Sequence, residues 1–162
     1  MAATILKPPT QPTDSDWARP SIFLAGSIAM DTAERWQDAL SAQLADLDVL
    51  LLNPRRDDWD TSWEATWDNP VFRQQVEWEL EGLERATWIA MYFSPPTQAP
   101  ITLLELGLMA HSGRLIVCCP EGFWRKGNVD IVCRRHNIPQ VPNLEVLGQT
   151  LRARLEALHS GS

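Results

Sequence analysis

The chain reads Ile22-Phe23-Leu24-Ala25-Gly26-Ser27 close to its amino end. A short apolar run that ends in a glycine and a serine is typical of a buried strand that leads into a loop. Four more apolar runs follow it, at residues 49–52, 88–93, 115–119 and, more weakly, 138–141. Their nearly continuous hydrophobicity predicts strands that are buried on both faces of one sheet.

Helical periodicity separates these five runs. In the first interval, apolar side chains recur at steps of three and four over residues 33–47, and Asp31 with Glu34 matches a capping box at the helix start. Further helices are predicted at about 70–86, at 102–111, through 129–136, and in a closing segment that carries Leu151, Leu155 and Leu158.

Strands that alternate with helices predict an α/β fold, because a helix crosses over between successive parallel strands. We expect a five-stranded parallel, doubly wound sheet between two helical layers, which is a Rossmann-like three-layer sandwich with flavodoxin-like strand order 2-1-3-4-5. Ligands bind such sheets beyond the carboxyl ends of the strands, where the strand order reverses.

A long loop, residues 53–69, begins at that edge of the predicted sheet. Loops of this length are commonly functional lids or disordered, and Trp59, Trp63 and Trp67, spaced by four, favour a short turn of helix.

The composition indicates a single domain that binds small molecules. With 162 residues, 44% of them hydrophobic, the chain can bury one core, so we expect one domain over residues 21–162 behind a flexible, proline-rich leader over residues 1–20. The lack of a signal-peptide pattern and of an apolar run of about 20 residues predicts a cytoplasmic protein without a membrane partner. A net charge of -7 argues against a nucleic-acid partner.

The sequence predicts neither a metal site nor an organic cofactor. The three cysteines, Cys118, Cys119 and Cys133, suit neither a disulfide framework nor a tetrahedral zinc site and are expected to be buried thiols. The chain also lacks G-x-G-x-x-G, Walker and G-x-S-x-G motifs, which disfavours dinucleotide, nucleoside triphosphate and serine-hydrolase chemistry.

Glu105 is a carboxylate in an unexpected place. It lies within residues 101–109, a helix that is apolar on nearly every side and is therefore expected to be buried. One explanation is structural, because Thr102 and Glu105 match a T-x-x-E capping box. The other is functional, because the amino end of a helix stabilises an ionised carboxylate, and a poorly solvated carboxylate beside the ligand crevice is a competent nucleophile.

Glu79 is a second carboxylate on a buried surface. Helical periodicity puts it on the same side as Val76 and Leu83, whereas the solvated face carries the glutamates Glu77, Glu81 and Glu84. An unpaired carboxylate on the buried side is unfavourable. Glu79 is therefore expected either to pair with an arginine such as Arg114 or to face a cavity.

These two glutamates and the stretch at 22–27 resemble the nucleoside 2-deoxyribosyltransferases and their deoxynucleotide N-hydrolase relatives, over about residues 21–148. In that family a helix carries an E-L-G motif with the nucleophilic glutamate, and Leu104-Glu105-Leu106-Gly107 looks like that motif. The resemblance implies that Glu105 is the catalytic nucleophile and that Glu79 is the acidic residue lining the pocket. It also implies that Gly26 and Ser27, at the end of the first strand, contact the substrate.

Further substrate-binding residues follow from the same resemblance. Asn128 resembles the asparagine that family members insert into a neighbouring subunit's site to hold the sugar, which implies a homo-oligomer, a dimer or larger, with shared active sites. Asp58 lies about where the family places a side chain that reads the base, and Trp59 beside it suits base stacking. A simple turn and helix cap is the alternative for this pair.

Two positions depart from the family pattern. Phe23 stands where the transferases carry a tyrosine that orients the nucleophile. Ala99 replaces an aspartate six residues before the nucleophile, and Asp130, which is near Asn128 in sequence, could take the place of that aspartate. Phe23 and Asp130 are therefore also expected among the substrate-binding residues.

The resemblance implies transfer of a 2-deoxyribosyl group between nucleobases in nucleotide salvage, with a nucleoside and a nucleobase as ligands and a covalent intermediate on Glu105. Two alternatives stay open. The first is hydrolysis of the N-glycosidic bond of a deoxynucleoside or its monophosphate, for which four arginines offer phosphate contacts, namely Arg55, Arg56, Arg73 and Arg125. The second is a non-catalytic domain that senses nucleosides or nucleotides on the same fold.

Overall fold

The five predicted apolar runs lie side by side in one parallel sheet, and a further strand extends its edge. A computed structural model of the protein describes residues 2–27, 35–56, 60 and 62–161. The strands are β1 Thr4–Leu6, β2 Ser21–Gly26, β3 Leu50–Leu52, β4 Trp88–Tyr92, β5 Leu115–Cys118 and β6 Gln140–Val141. Their spatial order is β1-β3-β2-β4-β5-β6, and each neighbouring pair is parallel. Apart from β1, this is the predicted flavodoxin-like order.

Helices cover both faces of the sheet. Within the described ranges they are α1 Asp14–Trp17, α2 Trp36–Gln43, α3 Pro70–Arg85, α4 Pro100–Met109, α5 Lys126–Arg135 and α6 Leu144–Ser160. One hydrophobic core lies between the sheet and the pair α2 and α6, around Trp36 and Leu151. The other lies between the sheet and α3, α4 and α5, around Trp78, Leu106 and Val129. The predicted three-layer α/β class is confirmed.

The amino-terminal segment differs from the expected flexible leader, because Thr4–Leu6 forms β1 at the edge of the sheet. Ile5 pairs in register with Leu51 of β3. Farther along, the indole nitrogen of Trp78 on α3 donates to Thr10 O at 2.8 Å. The strand escaped prediction because it is three residues long and its flanks are polar and rich in proline, so no periodicity marks it. Within the described residues the sheet therefore has six strands instead of the five expected.

Helix α4 begins at Pro100, two residues before the predicted start at Thr102. Its N-cap is Ala99, in the left-handed conformation with φ of 47°, and no side chain caps the helix. The structural alternative for Glu105, a capping box with Thr102, is therefore wrong. Glu105 is the sixth residue of α4, and a capping role does not explain its burial.

Some predictions fall outside the described residues, among them the capping box at Asp31 and Glu34 and the position of Trp59. In the described part of the same loop, residues 60 and 62–69, there are turns and bends but no helix, so the helical turn expected around Trp63 and Trp67 is not found. None of the described helices is long and apolar enough to cross a membrane.

Candidate active site

A cavity of about 750 Å³ opens at the carboxyl ends of β2 and β3, beside the loop that follows β4. The strand order reverses between β2 and β4, so the cavity lies at the position where doubly wound sheets bind their ligands. Its volume is within the range of small-molecule sites. The wall is built by the ends of β2 and β3, by α3, and by the segment from Thr97 into α4.

Most of the wall is apolar. Helix α3 contributes Val76 and Leu80, and α4 contributes Ile101, Leu104 and Leu108. Surfaces of this kind suit the flat faces of a nucleobase or another planar ligand. The few polar side chains in such a wall fix the orientation of the ligand and supply the chemistry.

Ser27 ties the end of β2 to the loop after β4 through a closed ring of hydrogen bonds. The Ser94 N–H donates to Ser27 Oγ at 3.0 Å, and Thr97 Oγ1 donates to Ser94 O at 2.8 Å. Ser27 Oγ and Thr97 Oγ1 lie 2.7 Å apart. Because the Thr97 proton is already used, the Ser27 hydroxyl donates to Thr97. Ser27 lines the cavity, and its hydroxyl proton is used in a hydrogen bond that holds the wall together.

Gly26 has no room for a side chain. A Cβ at this position would collide with the main-chain oxygen of Tyr92 and with the ring of Trp36. The Trp36 indole nitrogen in turn donates to Ser27 O at 3.1 Å. Glycine therefore allows β4 and α2 to close against the end of β2, which shapes the edge of the cavity.

Glu105 lines the cavity from the second turn of α4 and is only 7% exposed. None of the described residues donates a hydrogen bond to its carboxyl group. Burial, and in second place the negative charge of Glu79, raise the pKa of Glu105 to about 8. The expected stabilisation by the helix dipole is weak at this position, because the dipole acts mainly within the first turn.

Glu79 lines the same cavity from α3 and is half-buried. Gln75, one turn earlier, holds this region together, because its Nε2 donates to Pro54 O at 3.1 Å and to Glu79 Oε1 at 3.4 Å. Burial raises the pKa of Glu79 to about 7, and the hydrogen bond from Gln75 opposes that rise. The alternative pairing with Arg114 is wrong, because Arg114 donates to main-chain oxygens at the end of α3.

Both carboxyl groups titrate near neutral pH. The pKa of Glu79 is raised to about 7 and that of Glu105 to about 8, and Glu105 is raised in part by the charge on Glu79. Between these two values the pair holds about one proton, and the titration belongs to the pair rather than to either residue. One ionised carboxylate and one carboxylic acid on a single apolar cavity are the two groups that glycosidic bond cleavage requires.

Three predicted substrate-binding residues do not line this cavity. Phe23 is fully buried in the core against Trp78, with ring centroids 6.1 Å apart. Asn128 is exposed on α5, at a separate cavity of about 190 Å³ between α4 and α5. Asp130 forms an ion pair with Lys126 at 3.2 Å. Within one chain, none of the three is in place to contact a ligand of the larger cavity.

The remaining predicted site residues, Asp58 and Trp59, lie outside the described residues. The arginines proposed as phosphate contacts separate into two pairs. Arg55 and Arg56 line the cavity, whereas Arg73 stacks over Trp67 and Arg125 over Trp124 away from it.

Sequence reasoning missed several polar residues of the cavity wall, among them Gln75 and Thr97. Gln75 lies four residues before Glu79 on the buried side of α3, so helical periodicity was a usable signal for it. Thr97 stands in a short polar loop, where no pattern marks it. Its role depends on the approach of two loops that are 70 residues apart in sequence.

All three cysteines are buried, as expected, and none of them forms a disulfide bond within the described residues. Burial raises the pKa of Cys119 to about 11 and that of Cys133 to about 12, which keeps both thiols protonated and unreactive at neutral pH. No group of three or more histidine, cysteine, aspartate or glutamate side chains is placed to hold a metal ion in the described part of the chain.

A comparison with known protein families identifies the family of this chain. A family model described as nucleoside 2-deoxyribosyltransferase like matches residues 19–123, which is more than half of the chain and includes Glu79 and Glu105. The chain belongs to this family. The resemblance noted from the sequence is thereby confirmed, and membership supports a related nucleoside-processing activity. The match ends before Asn128 and Asp130.

A solved structure shows the same fold. The chain is similar to a conserved protein from Enterococcus faecalis V583, with 16% sequence identity and a TM-score of 0.61, over 83% of this chain and 98% of that chain. At this identity the likeness concerns the fold alone. No curated protein matches the chain.

Proposed function

We propose that the protein transfers a 2-deoxyribosyl group between nucleobases and that Glu105 carries the sugar as a covalent ester. The observation that carries this proposal is the pair of glutamates on one apolar cavity. Cleavage of a glycosidic bond with retention needs one carboxylate as nucleophile and one carboxylic acid as proton donor. Membership of the nucleoside 2-deoxyribosyltransferase-like family supports a nucleoside as the substrate. The mechanism needs no metal and no organic cofactor.

In the first half-reaction the Glu105 carboxylate attacks C1′ of the deoxynucleoside. Because Glu105 has the higher pKa, about 8 against about 7, the single proton of the free pair lies mainly on Glu105, and the reactive form is the one in which this proton has moved to Glu79. The bond between C1′ and the base nitrogen breaks, its electron pair goes to the base, and the base takes the proton of the Glu79 carboxyl group. Positive charge develops on the sugar in the transition state, and a poorly hydrated carboxylate stabilises it strongly. Since a 2′-hydroxyl would withdraw electrons from this cation, deoxynucleosides are the better substrates.

In the second half-reaction an incoming base attacks C1′ of the ester. Its N–H proton goes to Glu79, a bond forms between C1′ and the base nitrogen, and Glu105 leaves as a carboxylate. Two displacements at the same carbon retain its configuration. The proton that Glu79 gives in the first step is returned in the second, so one proton shared by the pair serves the whole cycle.

The apolar wall favours transfer over hydrolysis. A nucleobase covers apolar surface at Val76, Leu80 and Leu104 when it enters, whereas a water molecule gains nothing from such contacts. The acceptor base is therefore expected to occupy the cavity long enough to capture the ester.

A second copy of the chain is proposed to complete the site through Asn128. Support comes from the exposure of Asn128 and from three apolar side chains of α4 beside the cavity, Ile101, Leu104 and Leu108, which are 58%, 59% and 52% exposed. Their spacing of three and four residues forms one stripe along the helix. An exposed apolar stripe at the rim of a site is typical of a surface that a partner covers.

Base exchange tests the proposed function directly. The protein is incubated with deoxyinosine in the presence and in the absence of adenine, and the products are separated chromatographically. Transfer predicts deoxyadenosine and hypoxanthine only when adenine is present. When the acceptor is scarce, mass spectrometry of the intact protein should show a deoxyribosyl adduct, which peptide mapping assigns to Glu105.

Other products would contradict transfer. Free hypoxanthine at the same rate with and without adenine would mean hydrolysis. Binding of deoxyinosine with no release of base would mean a sensing domain. An adduct on a residue other than Glu105 would refute the assignment of the nucleophile.

A further inference from the structure

Gln75 carries a buried hydrogen-bond acceptor without a partner. The residue lies in the wall of the large cavity and is 6% exposed. Its Oε1 atom is buried, and no described residue donates a hydrogen bond to it. A buried polar atom without a partner is unfavourable, because it has lost its contacts with water and gained nothing in return. A ligand that brings an N–H or O–H donor to Oε1 removes this cost.

The side-chain amide of Gln75 is held in one orientation. Its Nε2 donates to Pro54 O at 3.1 Å and to Glu79 Oε1 at 3.4 Å, so both of its N–H bonds are used. A main-chain carbonyl can only accept, and the reversed amide would therefore put Oε1 against Pro54 O with no proton between them. Gln75 thus offers a ligand an acceptor and no donor.

This acceptor lies beside the carboxyl group that acts as the acid in the proposed function. Pro54 and Glu79, the two partners of the Gln75 amide, both line the cavity. Gln75 and Glu79 are also one turn apart on α3, where side chains are neighbours. Because Gln75 donates to Oε1 of Glu79, Oε2 is left to carry the proton of the acid. The protonated site therefore presents one donor next to one acceptor.

A donor next to an acceptor matches the edge of adenine that carries N7 and the 6-amino group. On this edge N7 accepts a hydrogen bond and the amino group donates one. A 6-oxo purine presents two acceptors there, N7 and the oxygen, so its oxygen would face Gln75 Oε1 without a proton between them. Val76 and Leu80, which follow Gln75 and Glu79 along α3, supply apolar surface for the flat ring.

We propose that Gln75 selects the base, in that its Oε1 accepts a hydrogen bond from the 6-amino group of adenine while Glu79 protonates N7 of the same ring. The electron pair of the bond between C1′ and N9 goes into the ring, so adenine leaves neutral with the proton on N7. The preferred ligands are deoxyadenosine and adenine over their 6-oxo counterparts. This inference rests on the proposed function, because it takes Glu79 to be the group that faces the base.

Three deoxynucleosides test this preference by the group at position 6 of the purine. Deoxyadenosine carries an amino group, deoxyinosine an oxo group, and the unsubstituted purine deoxynucleoside a hydrogen, which is neither donor nor acceptor. Calorimetry measures their binding to Glu105→Gln, which lacks the nucleophile and should not consume them. At about pH 6 Glu79 is mostly protonated, because its pKa is about 7.

Two substitutions on this background locate the effect. Gln75→Met removes the amide and keeps the length of the side chain. Gln74→Met is the matched control, because Gln74 is the neighbouring glutamine of α3 and is exposed. Thermal melting checks that both variants fold. If Gln75→Met does not fold, the ranking of the three ligands on the background protein decides by itself.

We expect deoxyadenosine to bind about 10- to 100-fold more tightly than deoxyinosine, with the unsubstituted purine deoxynucleoside between them. Gln75→Met should bring the three affinities within about threefold of one another, and Gln74→Met should keep the preference. Equal affinities on the background protein, a preference for deoxyinosine, a preference that survives Gln75→Met, or no binding of any of the three ligands would overturn the inference.

Base exchange by the unmutated protein separates this inference from the proposed function. A Gln75-dependent preference for deoxyadenosine in binding, with no base exchange, would leave the selection of the base standing and refute the transfer reaction. Base exchange that proceeds equally well with adenine and with hypoxanthine as acceptors would do the reverse.

Discussion

Replacing Glu105 by glutamine should stabilise the protein, and more so at higher pH. The pKa of this buried carboxyl is raised from about 4.5 to about 8. Between these values the group is neutral in the folded protein and ionised in the unfolded chain, so rising pH favours unfolding. From about pH 5.5 to about pH 7.5, at about 1.4 kcal/mol per pH unit, the parent should lose about 2.5 kcal/mol of stability through Glu105 alone. The glutamine variant has no such loss.

Urea denaturation at the two pH values measures this difference. The free energy of unfolding of Glu105→Gln, relative to the parent, should rise by about 2.5 kcal/mol between about pH 5.5 and about pH 7.5. Comparing one pH with the other cancels any change in packing between the two side chains. Glu77 is the matched control, because it is exposed on the neighbouring α3. Its glutamine variant should keep its difference from the parent within about 0.5 kcal/mol at both pH values.

Two results would refute the reasoning. If Glu105→Gln differs from the parent by the same amount at both pH values, Glu105 ionises as in the unfolded chain and is not held in a poorly hydrated site. If the variant is stabilised as predicted but keeps full base exchange, burial of Glu105 is real and its role as nucleophile is wrong, because loss of a covalent nucleophile lowers turnover by orders of magnitude.

The remaining predictions concern the site and its assembly. kcat/KM for base exchange should be bell-shaped in pH, rising to about 7 and falling above about 8, because only the pair with one proton holds both a nucleophile and an acid; a flat profile would contradict this. Mixing the inactive variants Glu105→Ala and Asn128→Ala should recover part of the turnover, and no recovery after verified mixing would exclude a shared site. Ser27→Ala leaves the buried Ser94 N–H without its acceptor and should lower stability by about 1–3 kcal/mol, measured by urea denaturation; an unchanged midpoint would refute the hydrogen-bonded ring.

The class of fold followed from local patterns that need no knowledge of tertiary contacts. Strands buried on both faces are apolar throughout, and amphipathic helices repeat every three to four residues, so both are visible in a linear sequence. Helix α3 was predicted almost to the residue, because Asn69 and Pro70 are strong start signals and apolar periodicity continues to its end. Strand β1 has neither length nor periodicity, and its place in the sheet comes from pairing with β3.

The sequence also singled out Glu79 and Glu105 as carboxylates on buried surfaces, because their surroundings are determined by neighbours three and four residues away. The predicted start of α4 was two residues too late. The residue types of Thr102 and Glu105 match a capping box, but the helix begins at Pro100, after Ala99 in the left-handed conformation. Helix starts depend on the conformation of one residue, which tertiary packing can impose against local preference.

Tertiary structure alone decided how the site is assembled. It brought Ser27 and Thr97 into one hydrogen-bonded ring, put Gln75 against the segment after β3, and left buried Arg55 Nε and Nη1 atoms that have no hydrogen-bond partner among the described residues. These relations join residues 20 or more positions apart, and the sequence carries no periodic signal for them. Whether a polar side chain is paired, exposed or aimed into a cavity depends on what packs around it, and that is fixed only when β2, β3 and the loop after β4 come together at one edge of the sheet.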